Sequence, residues 1–147
     1  MGKSRRADML RVFGRPLWSR SQREEEEDSK PEVWNNYEGI GEFPGQANVV
    51  VDKRSGIITR IDFFPKKLTK EQAIAHFGQD YVITRYDFEP CSDDEESEPI
   101  YESPNGPLVS LEYRQRGIAI AIGHGDLVTK ISYVSGPIGT PQSRCRQ

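Results

Sequence analysis

Histidine and cysteine are scarce in this 147-residue sequence, which has two residues of each. A catalytic triad or a zinc site needs several such side chains converging on one point. Neither His76 nor His124 has a cysteine or carboxylate at ligand spacing in the sequence, and Cys91 precedes an acidic run that disfavours a reactive thiolate. The sequence therefore predicts a protein that is not an enzyme, with no catalytic residue, no metal site and no cofactor.

Long apolar runs are also lacking, since no stretch approaches the 18 apolar residues of a membrane span. The basic start, residues 1–6, has no apolar segment behind it. We therefore expect a cytoplasmic protein if the chain is complete as given, and an extracytoplasmic one if a leader has been removed. Cys91 is expected to lie in a loop, either free or paired with Cys145.

Positive charge shows no overall excess, because 20 lysines and arginines face 23 aspartates and glutamates, for a net charge of -3. This balance offers no general attraction for nucleic acid, which we do not expect as a partner. Acidic residues concentrate in two runs, at 24–28 and 93–98. Neither run has the glycine-centred spacing of an EF-hand loop, so solvated loops are predicted, with cation binding as the alternative.

What the sequence does contain is an internal repeat. Residues 7–14 and 71–78 are short apolar-periodic stretches that both end in Phe-Gly, which predicts two short helices stopped by glycine. Thr69 begins a capping box ahead of the second helix. Residues 56–64 and 126–134 match at a constant offset of 70, which predicts two equivalent strands that each end a hairpin.

The repeat predicts an α+β fold of two tandem units, each a short helix followed by antiparallel strands, which together form one sheet with the helices on one face. The first unit spans 1–65 and contains a helix, a long acidic loop and a β-hairpin. The second spans 66–137 and contains a helix, an acidic loop and antiparallel strands. Residues 138–147 form a C-terminal tail. Further strands are expected at 49–51, 107–113 and 118–122.

Alternation along the matched strands assigns each side chain to one face of the predicted sheet. The side facing the helices is predicted to hold a core that includes Phe13 and Phe77. The strand residues predicted to face the helices are Ile57, Thr59, Ile61, Phe63, Leu127, Thr129, Ile131 and Tyr133. The opposite side is predicted to carry Ile58, Arg60, Asp62, Phe64, Val128, Lys130, Ser132 and Val134.

Exposed apolar groups beside charges suit a protein interface, so five residues form a candidate partner-binding surface. These are Arg60, Asp62, Phe64, Lys130 and Ser132. The alternative is an ordinary solvated sheet face. Trp18 and Trp34 fall in the predicted loop between residues 15 and 48, where we expect them to pin the loop to the core, with partner anchoring as the alternative.

The layout of two units, each with a short helix, a Phe-Gly stop and a hairpin-rich sheet, resembles the β-lactamase inhibitor protein family and the related fold of small outer-membrane assembly lipoproteins. The resemblance implies a binding protein whose joined sheet forms a concave face for a partner. The sequence has no lipobox cysteine near its start and no cysteine pair within each unit. No β-lactamase-binding residue is therefore carried over.

The favoured function is a soluble, bacterial, non-enzymatic module that binds or inhibits another protein through one face of its sheet. Three alternatives stay open: a toxin-immunity protein, an envelope-associated assembly factor, and an enzyme with a site between the repeats.

Overall fold

A computed structural model describes three ranges of the chain, namely residues 2–21, 31–86 and 108–139, without the side chains of Tyr86 and Leu108. Several sequence predictions fall outside these ranges and stay predictions. They concern the acidic runs at 24–28 and 93–98, Cys91 and Cys145.

The described residues contain two α-helices and eight strands. The elements in chain order are α1 (Arg6–Phe13), β1 (Trp18–Ser21), β2 (Glu32–Glu38), β3 (Gly45–Asp52), β4 (Ile58–Pro65), α2 (Lys70–Phe77), β5 (Val82–Tyr86), β6 (Leu108–Tyr113), β7 (Ile118–Ile122) and β8 (Val128–Val134). Short 3-10 turns at Arg114–Arg116 and His124–Asp126 flank β7.

All eight strands belong to one antiparallel sheet with the order β1-β2-β3-β4-β8-β7-β6-β5. The four strands that follow α1 form one half of this sheet, and the four that follow α2 form the other half in reversed order. The halves meet where β4 pairs with β8. The predicted α+β class and antiparallel sheet are confirmed.

Both helices pack on the same face of the sheet. Met9 of α1 is 1% exposed and lies in one apolar cluster with Val49 of β3. Phe77 of α2 lies in a second cluster with Ile131 of β8. Side chains directly opposite each other across a ladder share a face. Val49 lies opposite Ile61 and Ile131 lies opposite Phe63, and Ile61 and Phe63 are two residues apart on β4. The register therefore places Val49 and Ile131 on the same side of the sheet. Each helix therefore covers its own half of the sheet.

A tyrosine from the sheet holds the C-terminal end of each helix. The Tyr37 hydroxyl donates to the carbonyl oxygen of Gly14 at 3.2 Å, and the Tyr113 hydroxyl donates to that of Gly78 at 2.8 Å. Burial raises the pKa of Tyr37 and of Tyr113. The two Phe-Gly helix stops thus have partners in β2 and β6 that the sequence repeat did not indicate.

Irregularities in the strand register reverse the predicted orientation of several side chains. The ladder of β3 and β4 shifts at Val51, and the ladder of β7 and β8 shifts at Ile122. Because a one-residue shift moves side chains to the other face, Ile58 and Val128 are buried at 4% exposure each, whereas Leu127 is 47% exposed. The predictions of Leu127 in the core and of Ile58 and Val128 on the opposite face are therefore wrong.

Two threonines mark these irregularities. The Thr59 hydroxyl donates to the carbonyl oxygen of Val50, and the Thr129 hydroxyl donates to that of Ala121, each at 3.3 Å. Thr129 is exposed and Thr59 is half-buried, so neither is a core residue. Their hydroxyls bond the backbone where the regular ladder is interrupted.

The region from residue 15 to 48 is not one long loop, since it contains β1 and β2. Strict alternation of apolar and polar residues is absent from these strands, because Asn35 occupies a helix-facing position and is fully buried. Its amide donates to the carbonyl oxygen of Val49 at 3.2 Å and accepts from the Ser19 hydroxyl at 2.8 Å. A buried asparagine satisfied in this way removes the signal by which strands are recognised in a sequence. Strand β5 was also not predicted.

The first prediction tests the revised facing of β8. Ile131 has no exposed surface, so Ile131→Ala should lower the free energy of unfolding by about 2–5 kcal/mol. The control, Leu127→Ala, should cost less than about 1 kcal/mol because Leu127 is half-exposed. Urea denaturation of both variants measures the difference, and equal costs would contradict the assigned register.

Candidate functional site

The five candidate residues share the face of the sheet opposite the helices. Three of them, Arg60, Asp62 and Phe64, alternate along β4, and Lys130 and Ser132 alternate along β8. Asp62 lies directly opposite Ser132 in the ladder that joins the two halves. We call this surface the open face, and it includes every side chain that the register places on the same side as these five.

A row of side chains crosses the open face from one sheet edge to the other. The row passes through the pairings of all eight strands and is mainly polar between two exposed apolar ends. Its members are Trp18, Asn36, Asn48, Asp62, Ser132, Ala119, Glu112 and Val82.

The centre of the row is a buried carboxylate with two donors. The Ser132 hydroxyl donates to Oδ1 of Asp62 at 2.7 Å, and Nε of Arg60 donates to Oδ2 at 2.8 Å. Asp62 is only 4% exposed. Because a buried charge is costly without partners, these two contacts, one from the same strand β4 and one from β8, keep the carboxylate where it is. They also fix the Arg60 side chain at the surface.

Arg60 makes a second contact on the open face. Its guanidinium lies 5.4 Å from the centroid of the Trp34 ring, a cation–π distance. Trp34 is half-buried, and Trp18 is 47% exposed on edge strand β1. Both tryptophans therefore lie on the open face, rather than against the helix-facing core as pinning the loop would require.

A second buried carboxylate lies on the other half of the open face. Glu112 is 1% exposed, and Nε of Arg114 donates to its Oε2 at 3.0 Å. Nη2 of Arg114 donates to the Thr84 hydroxyl at 3.3 Å. This cluster is not among the sequence predictions, although Ser110 and Glu112 at alternate positions of β6 form a polar pattern that indicates one face.

Exposure differs among the five candidates. Phe64 is 38% exposed, which is high for a large apolar side chain on a strand, and Lys130 is also exposed. Arg60 is one-third exposed, whereas Asp62 is buried and Ser132 is half-buried. A molecule approaching the open face therefore meets Phe64, Lys130 and Arg60, and of these three Arg60 is held by Asp62, which Ser132 holds in turn.

Within residues 2–21, 31–86 and 108–139, every buried side-chain nitrogen or oxygen has a hydrogen-bond partner. The same residues contain no group of three or more histidine, cysteine or acidic side chains that could hold a metal ion. The polar clusters of the open face are therefore internally satisfied. Satisfied polar clusters hold the side chains that form them in fixed positions.

The histidines lie away from this face or at its margin. Nε2 of His76 lies 2.9 Å from Oε2 of Glu42, and the imidazole ring meets Phe43 and Phe77 edge-on. The fold thus supplies His76 with a carboxylate partner from a distant part of the chain. His124 lies in the 3-10 turn between β7 and β8.

No helix in the described part of the chain is long and apolar enough to cross a membrane.

Comparisons with known proteins identify no family. No protein-family model matches the sequence, and no curated protein matches it. Among solved structures, the chain is similar to a DUF4309 family protein (YjgB) from Bacillus subtilis subsp. subtilis str. 168, with 14% identity and a TM-score of 0.47 over 92% of this chain and 81% of that chain. This likeness is too weak to support an argument about function. The resemblance to β-lactamase inhibitor proteins and assembly lipoproteins stays a prediction.

The second prediction concerns the bond between Asp62 and Ser132. Asp62→Ala should destabilise the protein by about 1–3 kcal/mol, because it leaves the partly buried donors of Ser132 and Arg60 without their acceptor. The double variant Asp62→Ala/Ser132→Ala should cost less than the sum of the single variants, with a coupling of about 0.5–3 kcal/mol.

Thermal or urea unfolding of the four proteins measures this coupling. The hydrogen bond between Ser55 and Asp52, 2.7 Å long but exposed in a turn, supplies a matched control cycle. We expect the exposed pair to couple by less than about 0.5 kcal/mol. Equal coupling in the two cycles would show that the Asp62–Ser132 contact has no special role in the sheet.

Proposed function

We propose that this chain is a non-enzymatic module that binds or inhibits another protein through the open face of its sheet. The observation that carries the proposal is the exposed Phe64 side chain beside the Arg60, Asp62 and Ser132 cluster. An exposed aromatic anchor next to a rigidly held arginine is typical of the few residues that dominate protein interfaces.

The proposal includes two tandem copies of one unit, with boundaries at 1–65 and 66–137. Several contacts support this interpretation because they recur in both halves. In each half a tyrosine binds the glycine that ends the helix, and a bulge threonine binds a carbonyl of the preceding strand. The residues that precede the two helices also form equivalent bridges, which are Arg5 with Ile57 and Thr69 with Leu127.

The repeat has a consequence for the binding surface. Asp62 and Ser132 are equivalent by the offset of 70, and they lie opposite each other in the β4–β8 ladder. An approximate two-fold axis would therefore pass between them, and each copy would contribute half of the open face. Two units joined in this way make a binding surface broader than either unit has alone, as a stable protein interface requires.

Preorganisation of the side chains supports a binding surface over the alternative of an ordinary solvated sheet face. Asp62 and Glu112 are buried and hold Arg60 and Arg114 through Nε, so the arginines need little further ordering when a partner binds. Reduced ordering cost increases affinity. The internal pairing of these charges also favours a recognition surface over a reaction site between the repeats.

The third prediction tests Phe64 as the anchor. A partner is first captured from the source cell with the wild-type protein and then titrated against purified variants. Phe64→Ala should weaken the complex by about 2 kcal/mol or more, since an aromatic anchor is lost, while changing the free energy of unfolding by less than about 1 kcal/mol.

Val12→Ala is the matched control, because Val12 is 66% exposed on α1, away from the open face. It should leave the affinity unchanged. Unchanged affinity for Phe64→Ala, or equal losses in the two variants, would remove the open face as the binding surface.

A further inference from the structure

We propose that two copies of this chain associate through strand β5, so that their sheets join edge to edge in a homodimer. The inference goes beyond the proposed function, because it concerns an edge of the sheet rather than the open face. It starts from β1 and β5, the two strands that end the sheet. Each is the first strand after a helix, and within the described residues each has a neighbouring strand on one side only.

The two edges differ in the features that keep a sheet edge from pairing with another chain. Short strands and charged or polar side chains protect an edge, whereas an apolar edge is a template for a further strand. Strand β1 has four residues, and all of them except Trp18 are polar. Strand β5 has five residues, of which Arg85 carries the one charge and the other four are β-branched or aromatic. The β1 edge is therefore protected, and the β5 edge is not.

Two adjacent apolar side chains are exposed on β5. Val82 is 46% exposed and Ile83 is 51% exposed. Val82 lies opposite Glu112 on the open face, whereas Ile83 lies opposite Leu111, which belongs to the core on the helix side. Consecutive side chains of a strand point to opposite faces, so a layer that covers one face of the sheet cannot cover both residues. A strand added to this edge flanks both of them at once.

The backbone of β5 favours the same kind of occupant. In an antiparallel ladder, the N–H and C=O groups of successive residues point alternately to the two sides of the strand. Strand β5 pairs with β6 on one side, so the groups on its other side can pair with a further strand. Main-chain hydrogen bonds of this kind supply the affinity when a strand is added to a sheet edge.

A second copy of the chain supplies such a strand, because it carries the same unprotected edge. Two β5 strands related by a two-fold axis perpendicular to the sheet run antiparallel, as the neighbouring strands β5 and β6 do. This axis keeps both open faces on one side, so residues paired across it share a face. With the axis at Thr84, all of β5 pairs, and Arg85 lies opposite Ile83 of the second copy. Like charges directly opposite each other are destabilising, and this register keeps the two arginines apart.

The protected edge makes this association a closed dimer. Pairing of β5 with β5 uses both unprotected edges, and the joined sheet then ends at β1 on each side. An isologous contact of this kind closes at two copies, whereas pairing of β5 with β1 of another copy would continue into a filament. The polar side chains of β1 disfavour that second arrangement.

The small size of the contact sets its strength. One pair of five-residue strands buries less surface than the roughly 1,200–2,000 Å² of a standard stable interface. We therefore expect a dissociation constant between about 10 μM and about 1 mM. The pairing leaves both open faces uncovered and directed to the same side, so a dimer presents two copies of that surface to a repeated or dimeric partner, which raises avidity.

The fourth prediction concerns Ile83. Sedimentation equilibrium of the full chain should show a monomer–dimer equilibrium between about 10 μM and about 1 mM. A reductant is present so that Cys91 and Cys145 cannot cross-link two copies. Ile83→Lys should raise the dissociation constant about tenfold or more, because lysine protects a sheet edge and each substitution occurs twice in the dimer.

Leu127→Lys is the matched control, because Leu127 is 47% exposed and precedes β8, away from the β5 edge. It removes a similar apolar side chain and adds the same charge, so this variant should dimerise as the wild type does. Hydrogen–deuterium exchange of the wild-type chain supplies a second readout. The amides of β5 should exchange more slowly as the protein concentration rises, whereas those of β1, the other edge strand, should not change.

A chain that stays monomeric up to about 1 mM would overturn the inference. Equal weakening by Ile83→Lys and Leu127→Lys would also overturn it, as would a dimer whose β5 amides exchange as fast as those of the monomer. Slower exchange of β5 only when the captured partner is added would overturn it in favour of a strand from that partner. The proposed function is tested separately, by the dependence of partner binding on Phe64.

Discussion

The pairing of β4 with β8 is the constraint on which the rest of the structure depends. These strands end the two halves of the chain, and their ladder converts two four-stranded sheets into one sheet of eight strands. The same ladder sets Ser132 against Asp62 and so gives a buried carboxylate the donor it needs. That carboxylate in turn holds Arg60 over Trp34. The joining of the two half-sheets and the organisation of the open face thus follow from one set of contacts.

On the open face, the buried carboxylates and the partly exposed arginines that they bind have different roles. Asp62 and Glu112 contribute to position and stability, because their charges are satisfied below the surface. In the proposed function, Arg60 and Arg114 would contribute to recognition, because part of each side chain stays exposed. An unpaired arginine on a strand would sample many rotamers and lose that freedom on binding. The proposed partner would meet cations that are already in place.

The sequence repeat predicted the features that depend on local patterns. Helix ends at Phe-Gly, the Thr69 capping box, and the common face of Arg60, Asp62, Phe64, Lys130 and Ser132 all follow from short-range spacing, and the structure has each of them. The reversal of Ile58 and Leu127 was not predictable in this way, because a bulge depends on the partner strand. Strand β2 was not predicted for a similar reason, because the buried amide of Asn35 is satisfied by two other strands. The Glu112–Arg114–Thr84 cluster joins Thr84 of β5 to Glu112 of β6 through Arg114 in the turn that follows β6, and β5 itself was not predicted.

The measurement that tests the central claim most directly is fluorine NMR of the protein labelled with 5-fluorotryptophan, recorded with and without the unlabelled partner. The chain has two tryptophans, and both lie on the open face, with Trp34 in contact with Arg60 near the centre. If the partner covers this face, the Trp34 resonance should move at saturation and lose most of its sensitivity to exchange of H2O for D2O. A saturated complex in which both resonances keep their positions and their solvent sensitivity would contradict the account.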